Sequence, residues 1–114
     1  MSDFIVYKYP YALAIECKST EGNTFNFGKL RQYDELLKYS GPKGFGAFVV
    51  IWFIDHKKVC FVPIDEIKRL KEEEYKSINV KMIGDEKFKV FEVPSILKRT
   101  FLDSDYSVIF DYMQ

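Results

Sequence analysis

Nothing in the 114 residues approaches the roughly 20 consecutive apolar positions a membrane-spanning helix needs, and no basic start leads into a signal-peptide core. The expectation is a soluble, cytoplasmic protein with no membrane partner. Charge of one sign is not in excess either, since Lys plus Arg and Asp plus Glu number 17 each. With zero formal net charge, no overall field selects nucleic acid or an acidic surface, so such a partner has to be met by local clustering. Cysteine is scarce: Cys17 and Cys60 lie in apolar stretches with no zinc-type spacing and read as reduced core thiols. The single histidine, His56, sits in a DHKK turn and reads as a surface residue, not a general base. Repeats, low-complexity tracts and linkers are missing, which leaves one domain over residues 1–114.

What is present is a succession of strand and helix signals. DFIVYKYPYALAIECK is β-branched and aromatic on both sides of Tyr9-Pro10, predicting two antiparallel strands with a tight connection. STEGNTFN has loop composition, and Phe27, Leu30, Tyr33 and Leu37 then form a helical stripe, predicting a helix from about 27 to 39. After SGPKG, the chargeless FGAFVVIWF reads as a strand covered on both faces, hence the sheet centre. DHKK turns the chain into a further strand, KVCFVP, and Ile64, Ile67 and Leu70 predict a short helix that ends at a solvated KEEE run. SINVKMI reads as an exposed strand, Gly84-Asp85 as a turn, KFKVFEV as another strand, and PSILKRTF as a helical turn capped by Ser95. The order predicts an α/β domain with a mixed central β-sheet flanked by helices.

The AIECKST stretch puts Glu16 and Lys18 inside an apolar strand. If the connection is centred between Tyr9 and Pro10, Phe4 faces Ile15 and Val6 faces Leu13, so that Asp3 lies opposite Glu16. In this reading Leu13, Ile15 and Cys17 enter the core while Asp3, Glu16 and Lys18 share the opposite, polar face. Two carboxylates about 5 Å apart across a ladder repel unless a cation sits between them. Mg²⁺, with Mn²⁺ as substitute, fits such a pair of oxygen donors, and a lysine alongside can orient a water or offset charge on phosphorus. Taken singly, E-x-K is a common tripeptide, and an exposed ion pair contributes under about 1 kcal/mol. The mirrored aspartate makes the pattern more specific.

With Asp3, Glu16-Cys17-Lys18, a polar loop, and Gln32 ahead of an apolar strand, the chain resembles the PD-(D/E)xK nuclease superfamily. Within it the likeness is to Holliday junction resolvases of the RecU-like and archaeal Hjc-like type. It covers about residues 3–62, with a looser likeness in KSI and RTFLDSDY. The resemblance implies a restriction-endonuclease-like core and a Mg²⁺-dependent endonuclease that resolves four-way or other branched DNA. Asp3 and Glu16 would bind metal, Lys18 would assist attack by water, and Gln32 would lie near the site. It also implies a homodimer. One departure is that resolvases of this type start with a helix carrying another acidic residue, whereas Asp3 is the third residue here, so the usual N-terminal helix is expected to be lacking.

DNA phosphates call for donors around the site, and the candidates are Lys8, Ser19, Thr20, Asn23, Lys29 and Arg31. Tyr7, Tyr9 and Tyr11 read as core or interface packing in preference to base stacking. Two alternatives stand beside the resolvase reading: a non-catalytic DNA-binding or assembly module that retains the nuclease fold, and a nuclease of the same superfamily acting on a different DNA substrate.

Overall fold

The computed structural model describes residues 4–8, 11–30 and 45–93. Strands β1 (Phe4–Lys8) and β2 (Tyr11–Thr20) form the predicted antiparallel hairpin, and the register is the one read from the sequence, with Phe4 opposite Ile15 and Val6 opposite Leu13. β3 (Thr24–Asn26) and a 3₁₀ turn, Phe27–Lys29, follow. β4 (Phe45–Phe53) then lies parallel to β2, pairing Glu16 with Val49 and Lys18 with Ile51. A second 3₁₀ turn, Ile54–His56, leads into β5 (Lys58–Pro63), antiparallel to β4. Helix α1 (Ile64–Glu72), β6 (Ser77–Asn79), a 3₁₀ turn (Val80–Met82) and β7 (Phe91–Glu92) complete the described elements.

The main sheet has the order β1-β2-β4-β5-β7, so the chargeless strand is indeed central, with Val49, Val50 and Ile51 all fully buried. β2 and β4 are parallel while the other neighbours pair antiparallel, and the result is the mixed α/β sheet the sequence predicted. On α1, the predicted stripe Ile64, Ile67 and Leu70 is buried, while Asp65 and Glu66 in the first turn and Arg69 and Lys71 in the last complement the helix dipole. β3 and β6 pair as a small second sheet, and the facing Phe25 and Ile78 are both fully buried in the core that includes Val49, Ile51, Val62 and α1.

Several expectations change. The core face of β2 is the one that carries Glu16, because Ala14, Glu16 and Lys18 share register rows with Ala47, Val49 and Ile51, which belong to that core. Glu16 is only 2% exposed, so it does not sit on a wet polar face. Ile15 is buried as well and Cys17 half-buried, on the side where Phe48, Phe61 and Phe91 pack ring on ring. Both faces of β2 are covered, and strict in/out alternation cannot assign them. The predicted helix does not begin at 27: residues 27–29 form a 3₁₀ turn with Asn26 accepting from the Gly28 amide, and the remainder of that prediction lies outside the described residues.

STEGNTFN contains β3, not only loop, because Phe25 finds a strand partner in Ile78. SINVKMI is strand only over Ser77–Asn79, and its centre is buried; Asn79 then caps the next turn by accepting from the Lys81 amide. KFKVFEV is strand only over Phe91–Glu92, with the Val93 amide adding a bond to the Val59 carbonyl, while the Lys89 amide is taken by the Glu66 carboxylate at 3.0 Å. Gly84 makes the predicted turn, at φ +79, where a side chain would be strained. The PSILKRTF turn with Ser95, and the tail segment RTFLDSDY, lie outside the described residues.

Candidate active site on strand β2

β2 holds Glu16 and Lys18 two positions apart, which in a strand projects both from one face. Lys18 Nζ lies 3.2 Å from Glu16 Oε1, with the lysine side chain 30% exposed and the glutamate side chain 3% exposed. The pair is therefore graded, its carboxylate walled in and its ammonium reaching water. Taking a carboxylate out of water costs several kcal/mol unless charge and hydrogen bonds compensate it, and an apolar residue would fill this place in the core more cheaply. Such a placement is typical of a group kept for chemistry.

Glu16 offers a carboxylate oxygen, the kind of donor a hard divalent cation takes. Carboxylate oxygen suits Mg²⁺ or Mn²⁺, whereas thiolate and imidazole would favour softer metals. Cys17 projects from the other face of β2, and the His56 ring is engaged elsewhere, with Nε2 2.7 Å from Asn23 Oδ1. Among the described residues no group of three or more His, Cys, Asp and Glu side chains converges. Asp3, the second expected ligand, lies outside them, as do Gln32 and Arg31.

A family model described as recombination protein U, RecU, matches residues 1–103. The chain belongs to the RecU family. These are Holliday junction resolvases of PD-(D/E)xK type. No curated protein matches the chain significantly. The α/β sheet with β4 at its centre agrees with the RecU nuclease-like fold.

Within this RecU-family chain the expected DNA contacts are dispersed. Lys8 lies in β1. Ser19 is exposed, and its row, shared with Trp52, is on the face opposite Glu16. Thr20 is 5% exposed, and its hydroxyl donates to the Thr24 carbonyl at 3.0 Å and approaches that of Glu21 at 3.2 Å. Its donor is spent on shaping the 21–24 loop, which argues against a phosphate contact there. Asn23 is exposed but tied to His56, and Lys29 is exposed at the end of its 3₁₀ turn.

Sequence reasoning missed the partnership of the 21–23 loop with the DHKK turn. The Gly22 amide donates to Asp55 Oδ2 at 2.7 Å, beside the Asn23–His56 contact. The only signal was the parallel order of β2 and β4, which brings their ends together, and that is not written in either segment. It also missed Glu66, which is 3% exposed and accepts from Arg69 Nε at 2.8 Å, Arg69 Nη2 at 2.6 Å and the Lys89 amide. Burial alone raises a carboxyl's pKa, but the Arg69 and Lys89 hydrogen bonds and the positive charge outweigh it and hold Glu66 below its ordinary value. Here the E-x-x-R spacing on α1 was a readable signal.

Proposed function

We propose that this chain is a divalent-metal-dependent endonuclease that hydrolyses phosphodiester bonds in branched DNA, four-way junctions above all. The observation that carries the reading is the buried Glu16 joined to the half-open Lys18 on β2, in a chain that a RecU model matches over residues 1–103. The observed pairing of Phe4 with Ile15 is the register on which Asp3 was expected opposite Glu16, and it supports the two-carboxylate site.

In this reading Asp3 and Glu16 hold Mg²⁺ or Mn²⁺, which when bound supplies positive charge at the phosphate and acidifies a coordinated water. Lys18, its ammonium at the edge of the site, orients the attacking water or donates to a phosphoryl oxygen as negative charge develops. Water adds to phosphorus, one P–O ester bond breaks, and the leaving oxygen is protonated from solvent. Gln32 lies near the site in this proposal, and the active species is a homodimer that presents two such sites to the junction.

The test is nicking of a synthetic four-way junction with Mg²⁺ or Mn²⁺. Glu16→Gln and Lys18→Ala are each expected to slow it about 10²-fold or more, the scale of losing one transition-state contact, with junction binding retained. Equal nicking by the wild type and both variants refutes the proposal. The zero formal net charge favours one other reading, a DNA-binding or assembly module without catalysis. Calorimetric uptake of Mn²⁺ that disappears in Asp3→Ala counts against that inert reading.

A further inference from the structure

The parallel pairing of β2 with β4 delivers a second group of side chains to the end of the sheet beyond Lys18. Thr20 pairs with Phe53, and Phe53 with Lys58, so that this register row lies on the face that also carries Glu16 and Lys18. Four strand positions at about 3.3 Å and two inter-strand steps of about 4.8 Å put the Lys58 Cα roughly 16 Å from that of Glu16. A DNA backbone covers this distance in a few nucleotides.

Asp55, His56, Lys57 and Lys58 are all exposed, yet the turn they form is fixed. Asp55 Oδ2 accepts from the Gly22 amide and His56 Nε2 meets Asn23 Oδ1, each at 2.7 Å, tying the turn to the loop that follows β2. Lys57 has φ 53, in the left-handed region that favours glycine, and a lysine held there is strain that the fold retains. Among the described residues neither Lys57 nor Lys58 is in an ion pair. The Asp55 carboxylate is turned onto the Gly22 amide, which leaves the two ammonium groups as the donors the turn offers to solvent.

We propose that the turn Ile54–Lys58 is a clamp for the phosphate backbone of the DNA strand entering the Glu16–Lys18 site, with Lys57 and Lys58 as the contacts and Asp55 and His56 as braces. The inference rests on the DNA-cleaving reading above. Phosphate contacts of this kind fix the register of the strand without reading its sequence. Glu21, exposed on the braced loop, opposes the strand electrostatically.

The experiment is fluorescence anisotropy of a labelled four-way junction with the full chain, titrated over about 50–200 mM salt. Lys57→Gly combined with Lys58→Gln removes both charges, and glycine tolerates the left-handed backbone, so the thermal midpoint should not fall. Binding is expected to weaken about tenfold, and the slope of log K against log salt to shrink by roughly 2, or about 0.9 per lost phosphate contact. Glu21→Gln is expected to tighten binding. An unchanged slope with affinity within twofold overturns the clamp, as does an equal loss in Lys81→Gln, an exposed lysine on another turn. A wild type that cuts junctions while the double variant binds normally sinks the clamp alone. A wild type that neither binds nor cuts DNA sinks the functional reading on which it rests.

Discussion

Replacing Glu66 by alanine should destabilise the fold by about 2 kcal/mol at neutral pH, and the figure comes from asking which of its partners can find a substitute. Arg69 is 42% exposed and still has Glu73, so its guanidinium turns to water and contributes little to the loss. The Lys89 amide is different, because its acceptor is Glu66 at 3.0 Å in a part-buried position, and a buried donor left unmade costs about 1–3 kcal/mol. Releasing it also loosens the segment from Gly84 to Val90, which keeps the Gly84 amide on the Val90 carbonyl and the Arg69 contact with the Lys87 carbonyl. Alanine's better helix propensity returns a few tenths of a kcal/mol. For a chain of this length about 2 kcal/mol is a fall of roughly 8 °C in the melting midpoint.

Glu66→Gln keeps a carbonyl oxygen for Lys89 and should lose about half as much. The pH dependence has a definite sign. Glu66 titrates below its ordinary 4.5 in the folded protein, so its stabilisation is present above that value and is lost as pH falls through the lower folded pKa. The gap between wild type and Glu66→Ala, read by circular dichroism melts, should therefore be full at pH 7 and narrow on acidification below about 4.5. A variant that melts within 1 °C of wild type at pH 7, or a gap that does not narrow in acid, would show that the carboxylate does not hold the 84–90 segment to α1.

Two further outcomes are expected. Thr20→Val removes the hydroxyl that bonds the Thr24 carbonyl and should cost about 1 kcal/mol in denaturant titration while leaving junction affinity unchanged, a weakened affinity marking Thr20 as a DNA contact after all. Burial pushes the Cys60 thiol up to about 12, so a thiol reagent at pH 8 should label the half-buried Cys17 first and reach Cys60 only at the rate of unfolding; rapid labelling of both would contradict the buried position.

How much of this could be read in the chain depends on whether the signal was local. The β1–β2 register followed from centring the connection between Tyr9 and Pro10, the central place of β4 from nine residues without charge, and α1 from Ile64, Ile67 and Leu70. Glu16 and Lys18 were found as a pair because two residues apart on a strand means one face. The short β3 escaped notice and β6 was read as part of a longer, exposed strand, since three-residue strands carry no period of their own and exist because Phe25 and Ile78 bury each other.

The linear order of residues was enough to settle the elements with an internal period and the family to which they belong, because periodicity and motif spacing are properties of neighbours along the chain. It could not settle which side of β2 is the inside. Apolar residues stand at both parities there, and the choice fell to Val49 and Ile51 across the parallel ladder, which enclose Glu16. Nor could it bring Gly22 to Asp55 or Glu66 to Lys89, pairs 33 and 23 residues apart that meet only once the sheet and α1 are packed.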